Sequence, residues 1–226
     1  SKNIIDIYYI NTEIVSEDIT KKADKTIISS SSDLIQYTVN YKASIENVKE
    51  NSQVVITIID TLPKKIDLSK SNLNGGDYNE ENNTITWTMT KTVDEFTNLY
   101  EVNETITYTV NYKDFANMSS SLNNMLLNTV KGVTTINTDT SSGTEDNEEV
   151  EVAIDGTLIV KHVDEEGNEL LDTVTTTKKV GTSYSESKKD ITGYSIKVEP
   201  TNKEGKYIGT ITEGDLLYKT GNPVCL

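Results

Sequence analysis

Strict alternation of apolar and polar residues is the feature that most constrains the fold of this chain. In residues 36–42 it places Tyr37, Val39 and Tyr41 on one face, and residues 105–112 repeat the pattern. Successive side chains of a β-strand point to opposite faces, so a period of two predicts strands with one buried face. Thr, Val, Ile and Tyr fill these runs, and strands prefer these residue types.

Strands are predicted along most of the chain, and two short segments, 93–100 and 119–125, are expected to form single helical turns. Turn sequences rich in Gly, Asn and Asp separate several strands. The predicted fold class is therefore all-β. The further predicted strands cover residues 4–10, 54–59, 84–90, 126–136, 157–163, 174–180 and 194–198.

An acidic segment divides the chain. Residues 138–153 begin with a long polar stretch that is rich in acids and has no apolar side chain, which predicts a solvated linker or a long loop. The preceding residues 17–137 have the size of an Ig-like β-sandwich, and residues 154–220 suit a smaller β-domain. Residues 1–16 are expected to complete the sandwich or to end a preceding domain, and residues 221–226 form an atypical tail.

Charge and residue usage exclude several classes of function. The chain of 226 residues carries a net charge of −15, and all of its basic residues are Lys, so nucleic acids and anionic membranes are poor partners. No apolar run is long enough for membrane insertion. The single His162 excludes multi-His metal sites, and the single Cys225 excludes an internal disulfide. We therefore expect no metal, no cofactor and no enzyme activity beyond chemistry of the chain on itself.

Three predicted strands each direct one polar side chain toward the core: Lys21, Asp60 and Asn128. Burial lowers the pKa of a lysine and raises that of an aspartic acid. The Lys21 amine then becomes a neutral nucleophile, and a protonated Asp60 can polarise the Asn128 carboxamide. Attack of the amine on the carboxamide carbon would expel ammonia and leave an isopeptide cross-link, with proximity as the main driving force.

An uncross-linked domain remains the alternative. Lys21 could lie at a sheet edge with its amine in water, Asp60 could simply begin the turn that follows it, and Asn128 could pair with backbone. Lys22 and Lys25 are expected to be less suitable than Lys21, and for Lys22 the alternation predicts that the side chain faces away from the core.

Residues 17–137 resemble the isopeptide-forming Ig-like domain of Gram-positive pilins and collagen-adhesin-type surface proteins. The segments that carry the resemblance include residues 21–25, the Asp-Thr-Leu-Pro motif at 60–63, and residues 127–130. The resemblance implies a bond between Lys21 and Asn128, with Asp60 as the catalytic residue. Related uncross-linked repeats share the Asp-Thr-Leu-Pro motif, so both alternatives stay open at this point.

Residues 154–220 resemble the mucin-binding-protein (MucBP) repeat of Gram-positive cell-wall proteins. The resemblance rests on Val-Asp-x-x-Gly-Asn at 163–168, Val-Gly-x-x-Tyr at 180–184 and Gly-Tyr at 193–194. It implies a small β-grasp-like fold and an extracellular protein attached to the cell wall through parts outside this segment. It also implies contact with mucin, another host glycan or the extracellular matrix.

The remaining polar and aromatic clusters of the second domain have structural explanations. The acids around residues 164–169 lack the alternate spacing of a calcium loop and are typical of a hairpin turn. Tyr184, Tyr194 and Tyr207 could stack on sugar rings, but such residues more often pack a small core. The predicted function is a structural and adhesive stalk in a monomeric segment of a longer surface protein. The alternative is a carbohydrate-binding module with an uncross-linked Ig-like spacer.

Overall fold

The computed structural model describes residues 5, 7–115, 124–197 and 205–220. Strands dominate these residues, which confirms the predicted all-β class, and no helix among them is long and apolar enough to span a membrane. The strands are β1 (Glu13–Ala23), β2 (Ile27–Ile28), β3 (Ile35–Val48), β4 (Gln53–Thr61), β5 (Asp77–Asn79), β6 (Thr84–Thr92), β7 (Thr97–Val110), β8 (Met125–Ile136), β9 (Asp139–Thr140), β10 (Thr144–Val152), β11 (Asp155–Val163), β12 (Glu169–Lys179), β13 (Ser183–Ser187), β14 (Lys206–Thr210) and β15 (Gly214–Thr220).

The chain divides into two compact units that interleave in sequence. The first contains Ser1–Thr26, Leu34–Asn111 and Leu126–Val150. The second contains Ile27–Asp33, Tyr112–Met125 and Glu151–Leu226.

The first unit is a β-sandwich of two sheets. One sheet has the antiparallel order β1-β3-β7, and the other has the order β10-β8-β4-β6-β5, with β9 beside β8. Alternate residues of β3 and β4 are buried, as period-two patterning requires when one face of each strand meets the core. Side chains of the two sheets meet in this core. The centroid of the Trp87 ring of β6 lies 4.9 Å from the centroid of the Tyr108 ring of β7.

The approach of the two sheets depends on a glycine of β8. A Cβ atom at Gly132 would collide with the ring of Tyr41 on β3. The backbone of β8 can therefore approach Tyr41 only because residue 132 has no side chain.

The second unit has a three-stranded sheet in which β11 lies between an antiparallel β12 and a parallel β15. The strands β13 and β14 form a separate antiparallel pair, and β2 runs parallel to the last two residues of β10. A small core of Leu158, Val160, Tyr184 and Ile211 holds this unit together.

The structure corrects the predicted linker at 138–153. Residues Thr144–Val152 form β10, which hydrogen-bonds to β8, and Asp139–Thr140 form β9. Its acids alternate between exposed and half-buried positions, and Val150 and Val152 are buried. A strand is held by backbone hydrogen bonds to its neighbour, so an acidic sequence can form one when its charged side chains point into solvent.

Three smaller expectations also differ from the structure. The expected helical turn at 93–100 is wrong, since β7 begins at Thr97, and most of the turn expected at 119–125 lies outside the described residues. The strand predicted at 4–10 is wrong for its described residues, which are exposed and lie outside any strand. Residues 194–197 are likewise not a strand, and residue 198 and the tail 221–226 lie outside the described residues.

Candidate functional site

Lys21 reaches the core of the first unit from β1. It lies opposite Val39 of β3, and only 2% of its surface is exposed. The alternation of β1 turns Lys21 to the same side as the buried Ile19, whereas Lys22 is exposed. The lysine that the alternation predicts to face the core, Lys21, therefore does so in the structure.

Asp60 and Asn128 come from neighbouring strands of the opposite sheet. Asp60 ends the buried row of β4 and lies opposite Val130 of β8, two residues beyond Asn128. Residues two apart on a strand share a face, so Asn128 is a diagonal neighbour of Asp60. Both residues are fully buried, with 0% exposure.

The three predicted residues meet around a fourth, Tyr108 of β7. The Lys21 Nζ forms an ion pair with Asp60 Oδ2 and donates a hydrogen bond to the Tyr108 hydroxyl over 2.9 Å. The Tyr108 hydroxyl donates to Asp60 Oδ2 over 2.6 Å. Asn128 Nδ2 donates to the same hydroxyl over 3.4 Å. One phenolic oxygen thus contacts the amine, the carboxylate and the carboxamide.

Sequence reasoning missed Tyr108, although a signal was present. The hexapeptide Tyr-Thr-Val-Asn-Tyr-Lys occurs at 37–42 and again at 108–113. The structure pairs the first tyrosines of the two copies, Tyr37 and Tyr108, directly across β3 and β7. Tyrosine alternating with Ile and Val is also typical of an ordinary core strand, so the pattern alone does not distinguish a site residue from packing.

Aromatic rings enclose the Lys21 amine. Its Nζ lies 4.7 Å from the centroid of the Tyr37 ring and 5.6 Å from that of Tyr108. Tyr108 in turn stacks on Tyr37 at 5.5 Å. These rings exclude water from the amine, and their faces stabilise it while it is charged.

Burial shifts the pKa values of Lys21 and Asp60 in the directions that favour the neutral amine and the neutral carboxyl group. Desolvation lowers the pKa of Lys21 to about 8, against the opposing attraction of Asp60. Desolvation also raises the pKa of Asp60, although Lys21, Tyr108 and Asn128 oppose the shift through charge and hydrogen bonds. A neutral amine beside a protonated carboxyl is therefore more accessible here than in water.

The arrangement suits nucleophilic attack on an amide. A neutral Lys21 supplies the lone pair, Asn128 supplies the electrophilic carbon, and a protonated Asp60 supplies a hydrogen-bond donor. No cluster of His, Cys, Asp or Glu suited to a metal occurs among residues 5, 7–115, 124–197 and 205–220.

The other sequence candidates have structural surroundings. His162 is buried, and neither ring nitrogen has a hydrogen-bond partner within the described part of the chain. Burial lowers its pKa. The Asp164 carboxylate accepts hydrogen bonds from the backbone and side chain of Asn168, at 2.7 and 2.8 Å, as in a hairpin turn. Tyr184 belongs to the core, whereas Tyr194 is 54% exposed.

The solved structures that match the chain include bacterial pilins and adhesins. The chain is 16% identical to BcpA, the major pilin subunit of Bacillus cereus, over 93% of this chain and 71% of that one, with a TM-score of 0.36. It is 12% identical to a Mobiluncus mulieris adhesin containing intramolecular disulfide, isopeptide and ester bond cross-links, over 74% of each chain, with a TM-score of 0.33. It is 14% identical to the pilus backbone RrgB of Streptococcus pneumoniae, over 94% of this chain and 58% of that one, with a TM-score of 0.33.

Comparison with family models gives a match within the second unit. Among curated proteins, none matches the chain. The family model described as the MucBP domain matches residues 157–217, which span most of β11 to β15. This match confirms the resemblance that the turn and Gly-Tyr motifs of this segment indicate. Residues 157–217 of the chain are therefore similar to the MucBP domain family.

Proposed function

We propose that this chain is a structural and adhesive segment of an extracellular Gram-positive surface protein, attached to the cell wall through other parts of that protein. In this proposal an intramolecular isopeptide bond joins Lys21 to Asn128 and hardens the first unit. The observation that carries the proposal is the burial of Lys21, Asp60 and Asn128 around one hydroxyl. The MucBP domain supports the surface role.

The proposed reaction needs no group from outside the chain. A proton moves from the Lys21 amine to Asp60, and the neutral Nζ attacks the Asn128 carboxamide carbon. The Nζ–Cγ bond forms, the Cγ–Nδ2 bond breaks, and ammonia leaves. The charged amine becomes a neutral amide, so the reaction also removes a positive charge from a site that water does not reach.

Intact mass tests this proposal. The wild-type chain is expected to be lighter than its sequence mass by one ammonia, whereas Lys21→Ala and Asp60→Asn are expected to have their full sequence masses. Asp172→Asn is the matched control, since Asp172 is an exposed aspartate of the second unit, and it should keep the deficit. A wild-type chain of full sequence mass would contradict the cross-link.

A second candidate function is recognition of mucin or another host glycan by the MucBP domain. Its support is the family match, together with the exposed ring of Tyr194, which could stack on a sugar. A glycan array probed with the full chain and with Tyr194→Ala tests it. Selective binding that the variant loses would support a carbohydrate-binding module. If the chain binds no glycan on the array, the stalk is the one role that remains.

A further inference from the structure

Tyr108 contacts all three of the groups that the cross-link requires. Its hydroxyl oxygen lies 2.9 Å from Lys21 Nζ, 2.6 Å from Asp60 Oδ2 and 3.4 Å from Asn128 Nδ2. The first of these nitrogens is the nucleophile of the proposed reaction, and the last is its leaving group. A side chain that served only to fill the core would not need to place a hydroxyl between them.

Amide exchange by an amine requires a proton transfer that the nucleophile and the leaving group do not easily make by themselves. When the neutral amine attacks, Nζ carries one proton too many, and the departing Nδ2 needs one more to leave as ammonia. An amide anion is a very poor leaving group, so protonation of Nδ2 must accompany cleavage. The transfer therefore needs a group that can accept a proton on one side and donate one on the other.

We propose that Tyr108 is a catalytic proton relay for formation of the Lys21–Asn128 bond, an inference that rests on the proposed function. Before reaction the hydroxyl donates its proton to Asp60 Oδ2, and the protonation of Asp60 by Lys21 frees that proton. Attack on Cγ makes the carbon tetrahedral and frees the lone pair of Nδ2. The phenolic oxygen then accepts the surplus proton from Nζ while its own proton passes to Nδ2. The Nζ–Cγ bond forms, the Cγ–Nδ2 bond breaks, and ammonia leaves. Tyr108 ends the step as the neutral phenol, and Asp60 keeps the proton with which it polarises the carboxamide.

The surroundings of Tyr108 suit a relay better than a permanent base. Burial and the nearby Asp60 charge raise the pKa of Tyr108 well above its usual value, so the hydroxyl keeps its proton until the amine attacks. The ring is held by Trp87 at 4.9 Å and Tyr37 at 5.5 Å. These contacts restrict the position of the hydroxyl and limit the reorganisation needed for reaction.

The test follows the rate of cross-linking in Tyr108→Phe, which removes the hydroxyl and keeps the ring. Full-length chains are made by cell-free synthesis, quenched at timed intervals in acid denaturant, and weighed for loss of ammonia. Loss of general acid–base catalysis is expected to slow the bond at least ~100-fold. The variant should accumulate as a folded, uncross-linked chain, with wild-type circular dichroism.

Tyr41→Phe is the matched control. Tyr41 is also a buried tyrosine of the first unit, and its hydroxyl donates to Glu17 over 2.5 Å instead of to Asp60. It should cross-link at the wild-type rate. If Tyr108→Phe cross-links as fast as the wild-type chain, the relay is refuted while the cross-link stands. If the wild-type chain itself never loses ammonia, the proposed function has failed and the relay fails with it.

A second measurement keeps the inference testable if Tyr108→Phe does not fold. A relay through the hydroxyl transfers an exchangeable proton during reaction, so cross-linking of the wild-type chain should be slower in D2O than in H2O. Folding is followed separately by Trp87 fluorescence in the uncross-linked Asn128→Ala variant under both conditions. Equal cross-linking rates in the two solvents would refute the relay.

Discussion

At the scale of single residues, the site combines groups that a stable core ordinarily excludes. A lysine and an aspartic acid, each with 0% side-chain exposure, form an ion pair between the two sheets of the first unit. Desolvation of two charges commonly offsets most of their attraction, and removal of one partner from such a pair costs about 3–5 kcal/mol. The pair is thus poorly suited to adding stability and well suited to reacting, because neutralisation of both groups relieves their desolvation.

The lowered pKa of Lys21 predicts how stability depends on pH when the bond cannot form. The Asn128→Ala variant keeps Lys21 and Asp60 and lacks the carboxamide. Burial lowers the pKa of Lys21 from 10.5 to about 8 in the folded chain. Between these values the unfolded chain binds more protons, so the free energy of unfolding should rise with pH, by at most ~1.4 kcal/mol per unit.

Urea unfolding at a series of pH values from about 8 to about 9, where tyrosines of ordinary pKa are still mostly protonated, measures this slope. The double variant Lys21→Met/Asn128→Ala is the control, since it lacks the titrating amine. The rise should be absent from the control. An equal slope in both variants would show that Lys21 does not have a lowered pKa in the folded chain.

At the scale of strands, the sequence predicted the core well and one edge of the sandwich poorly. The structure places β4 at Gln53–Thr61 and β8 at Met125–Ile136, close to the predicted limits, because buried rows of Val, Ile and Leu alternate there with polar residues. The acids of β10 carry no such signal. This acidic segment forms a strand because β8 offers backbone groups for hydrogen bonding, and the pattern of a single sequence does not reveal that neighbour.

The same limit explains the outcome at the site. The sequence pattern predicts the site residues Lys21, Asp60 and Asn128, because each places a polar group in an otherwise apolar row. Tyr108 is not predicted, since its ring satisfies the apolar pattern and only the packing of the two sheets shows what its hydroxyl contacts.

Amide hydrogen exchange distinguishes a strand from a linker at residues 144–150. The amides of this segment that bond to β8 should exchange far more slowly than exposed amides, because exchange requires opening of the sheet. Residues 7–10, which are exposed and outside any strand, provide the internal reference. Equally fast exchange in both segments would mean that β10 is not formed in solution.

At the scale of the whole molecule, the proposed bond limits how far the first unit can extend when it unfolds. Lys21 lies on β1, and Asn128 lies on β8 of the other sheet, so most of the sandwich lies between them in sequence. With the bond in place, residues 21–128 form a closed loop that tension cannot extend. Extracellular chains commonly use disulfides for such reinforcement, and the single Cys225 permits no internal disulfide.

The closed loop predicts a large difference in stability between the wild-type chain and Asn128→Ala. For a loop of roughly 100 residues, the entropy lost by the unfolded chain corresponds to about 4–5 kcal/mol on the scale used for disulfides. Urea unfolding of the first unit can be followed by Trp87, the single tryptophan of the chain, which is buried there. Equal unfolding midpoints would contradict a covalent constraint.

The most direct measurement is peptide mapping of the wild-type chain by tandem mass spectrometry. Acylated Lys21 is no longer a trypsin site, so digestion should yield a branched peptide in which the segments containing Lys21 and Asn128 are joined. Its mass should equal the sum of the two linear peptides less one ammonia, and fragmentation should place the junction at Lys21 Nζ. Recovery of both segments only as linear peptides, with Lys21 and Asn128 unmodified, would contradict the central claim.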